Sequence, residues 1–487
     1  MDLKKREHQK YVSLSIGLLA HFMSGIVFGF NAYAIALKQT FNYTQTELEY
    51  IASSGDLGLC FFFPAGIVFD YFGPRVTCII SLVLSGLGFG LMSTATNFRM
   101  FFTSNSWLLC VFYFMASVGT IFICIASYVV NCKNYDRKHI GKVAGLLQAV
   151  FGISPAISSA LYEGVFVQGH IEDAENQKLG EFLLMLAILS ASINTFGVAM
   201  LKMLPEVTAE SDSELSELPH TNQNEVAERN TENVIPNNVS DEINEKTPIT
   251  GKQITNLPLD EEMKWWQIIK TPQFYNIFLI CVIIGGTGGT ITNNITGISK
   301  SAQVNIKSFA FTFSIPIFAS IGRLLGGVAQ DYISQKWPDI PKSSTLLFPV
   351  ILMCISQIIL VFFNQSFAGL MCASAMAAIA FAFLYIQVTI IAVDLFGMKY
   401  YAQNVGLMMV GHAIGIVLFQ KLFGLNYETY SPSGSQTCYG ESCTRWFFVL
   451  TSMLCTCAIF LNLCLMKIER DKRLQYEESQ DSYKPVH

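Results

Sequence analysis

Charge is what this chain has least of. Asp, Glu, Lys and Arg make up 14% of its 487 residues, where a water-soluble domain carries roughly a quarter. The few charges gather in short clusters and leave long uncharged runs between them, and 52% of the residues are hydrophobic. That distribution excludes an ordinary soluble globule and points to a protein that crosses a bilayer many times. Other features are missing altogether. There is no Gly-rich loop ending in Gly-Lys-Ser/Thr to hold a nucleotide, which excludes ATP-driven pumping. There is no metal-ligand cluster and no nucleophile–base pair, so neither an enzyme, a cofactor nor a metal is expected. No basic patch interleaved with aromatics points to nucleic acid. The net charge of −5 reflects one acidic central segment and says little about partners.

A helix needs roughly 20 apolar residues to cross a membrane. Twelve runs qualify: 12–36, 48–69, 76–96, 106–130, 142–166, 180–203, 274–297, 306–329, 344–363, 367–392, 403–425 and 446–466. The expected fold class is therefore an all-α polytopic membrane protein, with a tail over 1–11, a first six-helix bundle over 12–205, a second over 263–466 and a tail over 467–487. The stretch 206–262 between the bundles is rich in Glu, Asn, Ser and Thr and almost lacks aromatics. Such a segment buries too little apolar surface to fold alone, so a disordered linker is expected.

Lys and Arg set the expected orientation. With the N-terminus cytoplasmic, the inner side holds Lys4, Lys5, Arg6, Lys10, Arg75, Lys133, Arg137, Lys138 and Lys142 among others, and the outer loops hold few, such as Lys38, Arg99, Lys178 and Lys300. Both termini are then cytoplasmic, in a plasma membrane or an endolysosomal or vacuolar one, and the chain is expected to be a monomer. The glycosylation sequons at Asn42 and Asn364 fall in outer loops under this scheme, and the one at Asn238 in the inner linker. Of 13 cysteines most lie in apolar runs and read as small buried side chains. Cys438 and Cys443 lie in the polar loop 426–445 and either close a disulfide in an oxidising compartment or stay free.

A repeat is visible. Asp70 and Asp331 stand 261 positions apart, as do Gly66 and Gly327, Gly145 and Gly406, and Gly25 and Gly286. One spacing for several pairs argues for two related halves in the same orientation, with a binding site between them near the bilayer midplane.

The stretch Gly66-Ile-Val-Phe-Asp70-Tyr-Phe-Gly73-Pro-Arg75 resembles the loop between helices 2 and 3 of the major facilitator superfamily. The resemblance implies a conformational latch at Gly66, Asp70, Gly73 and Arg75, with Gly327 and Asp331 as its counterpart. An acid at the C-terminal end of its own helix needs another partner, such as the N-terminus of helix 11 or Arg75. The alternative is an ordinary surface ion pair. Phe28-Gly-Phe-Asn-Ala-Tyr33, Gly55-Asp56-Leu-Gly58, the stretch from Asn131 to Gly145, and the one from Gly285 to Asn294 resemble the nodulin-like branch, near the monocarboxylate and oxalate–formate transporters. In those carriers helix 8 presents an arginine four residues before a glycine and eight before the loop position. Arg323, Gly327 and Asp331 have that spacing. Oxalate-type carriers also place a lysine eight residues after an asparagine in helix 11, whereas here Asn404 is followed by His412. The departure argues against a dianion and for a monoanion, moving with a proton.

The candidate substrate site follows. Arg323, a charge in hydrocarbon, needs a partner or a ligand. Its planar fork of donors suits a carboxylate; the alternative is a structural arginine capping carbonyls or paired with Asp331. His412 and His21 either carry a proton or pack as neutral rings. Asp56 is either a proton carrier or a partner for a cation or helix end. Gln148, Asn293 and Asn294 either bond substrate or bond neighbouring helices. Tyr33, Tyr128 and Tyr385 either line the cavity or fill interfaces. The cargo expected is a small organic anion. The rivals are a carrier of neutral solutes and a transporter-like receptor signalling through the linker.

Overall fold

The computed structural model describes residues 3–169, 177–205, 262–303, 309–431 and 438–481. The expected linker, apart from Glu262, lies outside the described residues, as does Asn238. Among the described residues every element is helical. The first span is α1 (Leu3–Gly25), continued through a 3₁₀ turn at Ile26–Gly29 into Asn31–Phe41. Next come α2 (Gln45–Leu59), α3 (Phe62–Ala95), α4 (Ser106–Asn134), α5 (Ile140–Leu161) and α6 (Leu179–Met200). The second half holds α7 (Pro272–Ile280, carried through a π-helical turn at Cys281–Gly285 into Gly286–Ser301), α8 (Phe309–Lys336), α9 (Leu347–Phe363), α10 (Phe367–Phe396), α11 (Tyr401–Thr429) and α12 (Ser442–Asp481).

Ten segments are long and apolar enough to cross a membrane. One of them, Thr46–Thr103, holds two spans. They meet inside α3 at Gly73, whose φ of 77° breaks the helix, and Pro74 starts the next. The Arg323-bearing α8 supplies the remaining span, so each of the twelve apolar runs falls on a helix among the described residues. Large apolar side chains such as Leu87, Phe362 and Phe460 face outward, as a bilayer requires and water does not tolerate over such an area.

Local signals fix several ends. Thr44 accepts from the Glu47 backbone N–H while Glu47 reaches back to Thr44, a capping box that starts α2. Ser366 caps α10, and Thr271 followed by Pro272 starts α7. Gly397, with φ 82°, ends α10. The two tails read as polar extensions are helical: α1 starts at Leu3 and α12 runs to Asp481. Gln9 donates from Nε2 to the Met200 carbonyl, 2.7 Å away, which ties the first tail to the end of α6.

Within each half, small residues let helices approach and hydroxyls bond across them. Ser81 donates to the Gly119 carbonyl at 2.6 Å, and Ser85 and Ser190 pair at 2.6 Å. The turns near Gly73, residues 135–139, 337–341 and Gly397 define the proximal end of the molecule, and those near residues 42–44, 364–366 and 438–441 the distal end. At the distal end Cys438 and Cys443 are joined by a disulfide. Asn364 corrects one expectation. It is buried, and its amide donates to Thr444 Oγ1 at 3.1 Å and to the Glu441 carbonyl at 3.3 Å. A glycan needs that nitrogen free and exposed, so of the two sequons only Asn42, which is exposed, remains a candidate.

Candidate functional site

The two halves meet on a proximal seam of glycines. A Cβ on Gly327 would strike the Gly141 carbonyl, and one on Gly66 the Ala402 carbonyl. Likewise Gly145 packs on the Arg323 carbonyl and Gly406 on the Phe62 carbonyl. Close approach of α8 to α5 and of α3 to α11 brings each acid onto a helix start in the other half. Asp331 Oδ1 accepts from the Gly141 backbone N–H at 2.8 Å, and its Oδ2 from that of Lys142 at 2.8 Å. Asp70 Oδ2 accepts from the Gln403 backbone N–H at 2.9 Å. A carboxylate at a helix N-terminus satisfies otherwise unbonded N–H groups and opposes the positive end of the dipole. Arg75 is exposed and takes no part in the Asp70 contact. The proximal end is therefore shut by two matching acid-to-helix bonds.

Arg323 lies further into the membrane on α8, with its residue only 7% exposed. Its Cζ is 5.4 Å from the centroid of the Phe151 ring on α5, within the range of a cation–π contact. Gly152 makes room for it: a Cβ there would run into Nη1 and Ser320 Oγ. Asp331 is committed to α5, and among the described residues no acid pairs with Arg323. Its Nε has no hydrogen-bond partner. A buried cation left so is far from its lowest free energy, which is the state expected of a site that takes its counter-ion from outside.

The guanidinium is within electrostatic reach of His21, Cys124 and Tyr385. Tyr385 on α10 continues the cluster to α11, where the His412 ring centroid is 5.6 Å from its own. His412 is buried and neither ring nitrogen has a partner. The π-helical turn of α7 lies beside it, and Gly285 there leaves space for the imidazole. Between the halves is a small enclosed cavity lined by Phe62, Cys124, Tyr128, Gln148, Tyr385 and Thr389, among others. Gln148 is buried with Oε1 unpartnered.

The other candidates stand apart. Asp56 is on the exposed side of α2, Asn293 is exposed on α7, and Asn294 gives its amide to the Thr290 carbonyl of its own helix at 3.0 Å. None of the three lines the cavity, and neither do Arg323, His21 or His412. Tyr128 and Tyr385 do, whereas Tyr33 packs among Phe30, Tyr162 and Phe182 within the first half. Sequence reasoning missed Gly152, Phe151 and Cys124. Their roles depend on what the opposite half places beside them, and no local pattern carries that.

The chain is similar in sequence to several known proteins. Protein NUCLEAR FUSION DEFECTIVE 4 of Arabidopsis thaliana is 21% identical over 95% of this chain and 91% of its own length. Probable transporter MCH1 of Wickerhamomyces anomalus is 20% identical over 86% of this chain and 80% of its own, and that of Candida albicans 20% over 91% and 92%. Among solved structures, the transporter FucP in its outward conformation superposes with a TM-score of 0.59 at 12% identity, covering 93% of this chain and 99% of FucP. The proton:xylose symporter XylE gives 0.60 at 10% identity, covering 93% and 95%. Those likenesses show the fold. Residues 15–419 match the Major Facilitator Superfamily. With a matching sequence profile over most of its length and twelve helical spans in two halves, the chain belongs to the Major Facilitator Superfamily and is a membrane transporter.

Proposed function

We propose that this transporter carries a small organic anion, a monocarboxylate, by alternating access, with a proton as companion. The observation that carries the reading is Arg323: a buried guanidinium beside a cavity on the seam of the two halves, with no acid to neutralise it among the described residues. One fixed cation suits one negative charge. His412, with both nitrogens unbonded next to Tyr385, would take the proton. The halves are taken as 12–205 and 263–466, rocking about the seam, in a monomer. The distal disulfide supports a distal side that faces an oxidising compartment, which leaves both termini cytoplasmic, in a plasma or endolysosomal membrane.

The test is uptake of a panel of labelled metabolites by purified protein in vesicles, with and without an inward proton gradient. A carboxylate should accumulate faster with the gradient. Arg323→Ala should abolish that uptake while leaving the protein in the membrane. Undiminished uptake in the variant, or transport of neutral solutes alone, removes the anion reading.

A further inference from the structure

Next to Tyr128 of the cavity lies a histidine whose tautomer is fixed by its surroundings. His21 on α1 is completely buried. Its Nδ1 lies 2.9 Å from the Gly17 carbonyl, one turn back in the same helix. A carbonyl can only accept, so Nδ1 must carry a hydrogen. The second neighbour agrees. Ser127 Oγ is 3.2 Å from Nδ1 and is itself 3.1 Å from the Cys124 carbonyl. The serine hydrogen goes to that carbonyl, which leaves the serine oxygen to accept from the same imidazole N–H. Three contacts thus specify one tautomer. In the neutral ring Nε2 is then a bare lone pair, and it is buried without a partner. Such a group costs about 1–3 kcal/mol unless something donates to it. Arg323 is within electrostatic reach of this ring, and the ring centroid is 6.0 Å from that of Tyr128, which lines the cavity.

We infer that His21 selects the cargo: Nε2 accepts a hydrogen bond from a hydroxyl on the carbon chain of the carboxylate held by Arg323, so that hydroxycarboxylates are preferred over the oxocarboxylates of the same skeleton. This rests on the anion reading above. An oxo group offers only lone pairs, and two facing lone pairs repel and leave Nε2 unbonded, so the pair differs by a hydrogen bond made or missed. Gln148 Oε1, also buried and unpartnered, is a second acceptor and lines the cavity that Tyr128 borders.

The experiment uses the purified full-length chain and three matched pairs: glycolate and glyoxylate, lactate and pyruvate, and 3-hydroxybutyrate and acetoacetate. Affinity is read from the concentration dependence of the thermal shift. The hydroxy member of at least one pair should bind about fivefold or more tighter. His21→Asn keeps a donor for the Gly17 carbonyl but removes the distal acceptor, and should bring that ratio to about one without weakening the oxo member. His21→Gln, which returns an acceptor near the Nε2 position, should restore part of it. Equal binding within every pair overturns the inference and leaves the anion reading standing, as does a ratio unchanged in His21→Asn. No response to any carboxylate overturns both. If His21→Asn fails to fold, the wild-type ratios together with His21→Gln decide.

Discussion

Tyr128 Oη and Thr389 Oγ1 are 2.6 Å apart and 261 residues apart in the chain. The second figure is the repeat interval that Asp70 and Asp331 obey, so this bond joins equivalent positions of the two halves and lies on the axis that relates them. Thr389 donates its own hydrogen to the Ile386 carbonyl at 2.8 Å, which makes Tyr128 the donor across the seam. Cys124 and Tyr385, which also feel one another across the cavity, are a second pair at that interval. α4 and α10 therefore touch along the axis, and the cavity is built around it.

Removing the axial bond should loosen the closed arrangement by about 1 kcal/mol. Tyr128→Phe deletes the donor and leaves Thr389 bonded to its own helix. Thr389→Val deletes the acceptor. Thermal unfolding of the two single variants and the double should show a coupling of about 1 kcal/mol between them. Additive losses would mean that the two hydroxyls do not act together.

The proximal seam gives a second prediction. Gly327 faces the Gly141 carbonyl with no room for a methyl group, and the opposing surface is backbone, which cannot step aside. Gly327→Ala should hold the proximal end ajar, detach Asp331 from Gly141 and Lys142, and stop transport. Cys132 is a native reporter. It is fully buried near Asp331 and Tyr401 when the seam is shut. Maleimide labelling of Cys132 should be at least several-fold faster in the variant than in the parent, at equal protein recovery.

Much of this architecture was legible in the residue order. The apolar runs marked the spans because lipid demands them, and the glycine–aspartate spacing marked the seam because backbone contact forbids a side chain at fixed places. Gly73 stood in the polar gap between the runs 48–69 and 76–96, and its φ of 77° is where the helix breaks. The helical state of the first tail was not legible: its polar residues carry no apolar period, and the helix is held by the Lys10–Glu7 pair at 2.9 Å and by Gln9 bonded to Met200. The site was only partly legible. Arg323 declared itself as a charge in an apolar run. Gly152, which admits it, belongs to a different helix in the other half and resembles any other glycine. Asp56, Asn293 and Asn294 look as polar in sequence as Gln148, and only the helix faces separate them.

Arg323→Lys tests whether geometry or charge holds the cargo. Lysine keeps the positive charge but cannot form two parallel bonds to a carboxylate. Uptake of the preferred carboxylate should fall at least tenfold, chiefly through a weaker apparent affinity, with protein levels unchanged. Full activity in the lysine variant would reduce the role of Arg323 to that of a point charge.

The two sequons separate orientation from stability. Asn42 is exposed at the end of the first span, in a left-handed turn with φ 54°. If the distal end faces the lumen during synthesis, Asn42→Gln should remove the glycosidase-sensitive shift on a gel and leave folding intact. Asn364→Gln should behave in the opposite way. It disturbs the buried bonds to Thr444 and Glu441 that tie the distal end of α9 to the start of α12, and loss of such a bond costs about 1–3 kcal/mol. The expected result is a lower melting temperature with no change in glycosylation. A glycan lost with Asn364→Gln rather than Asn42→Gln would mean that Asn364 is not buried against Thr444 and Glu441 in the mature protein.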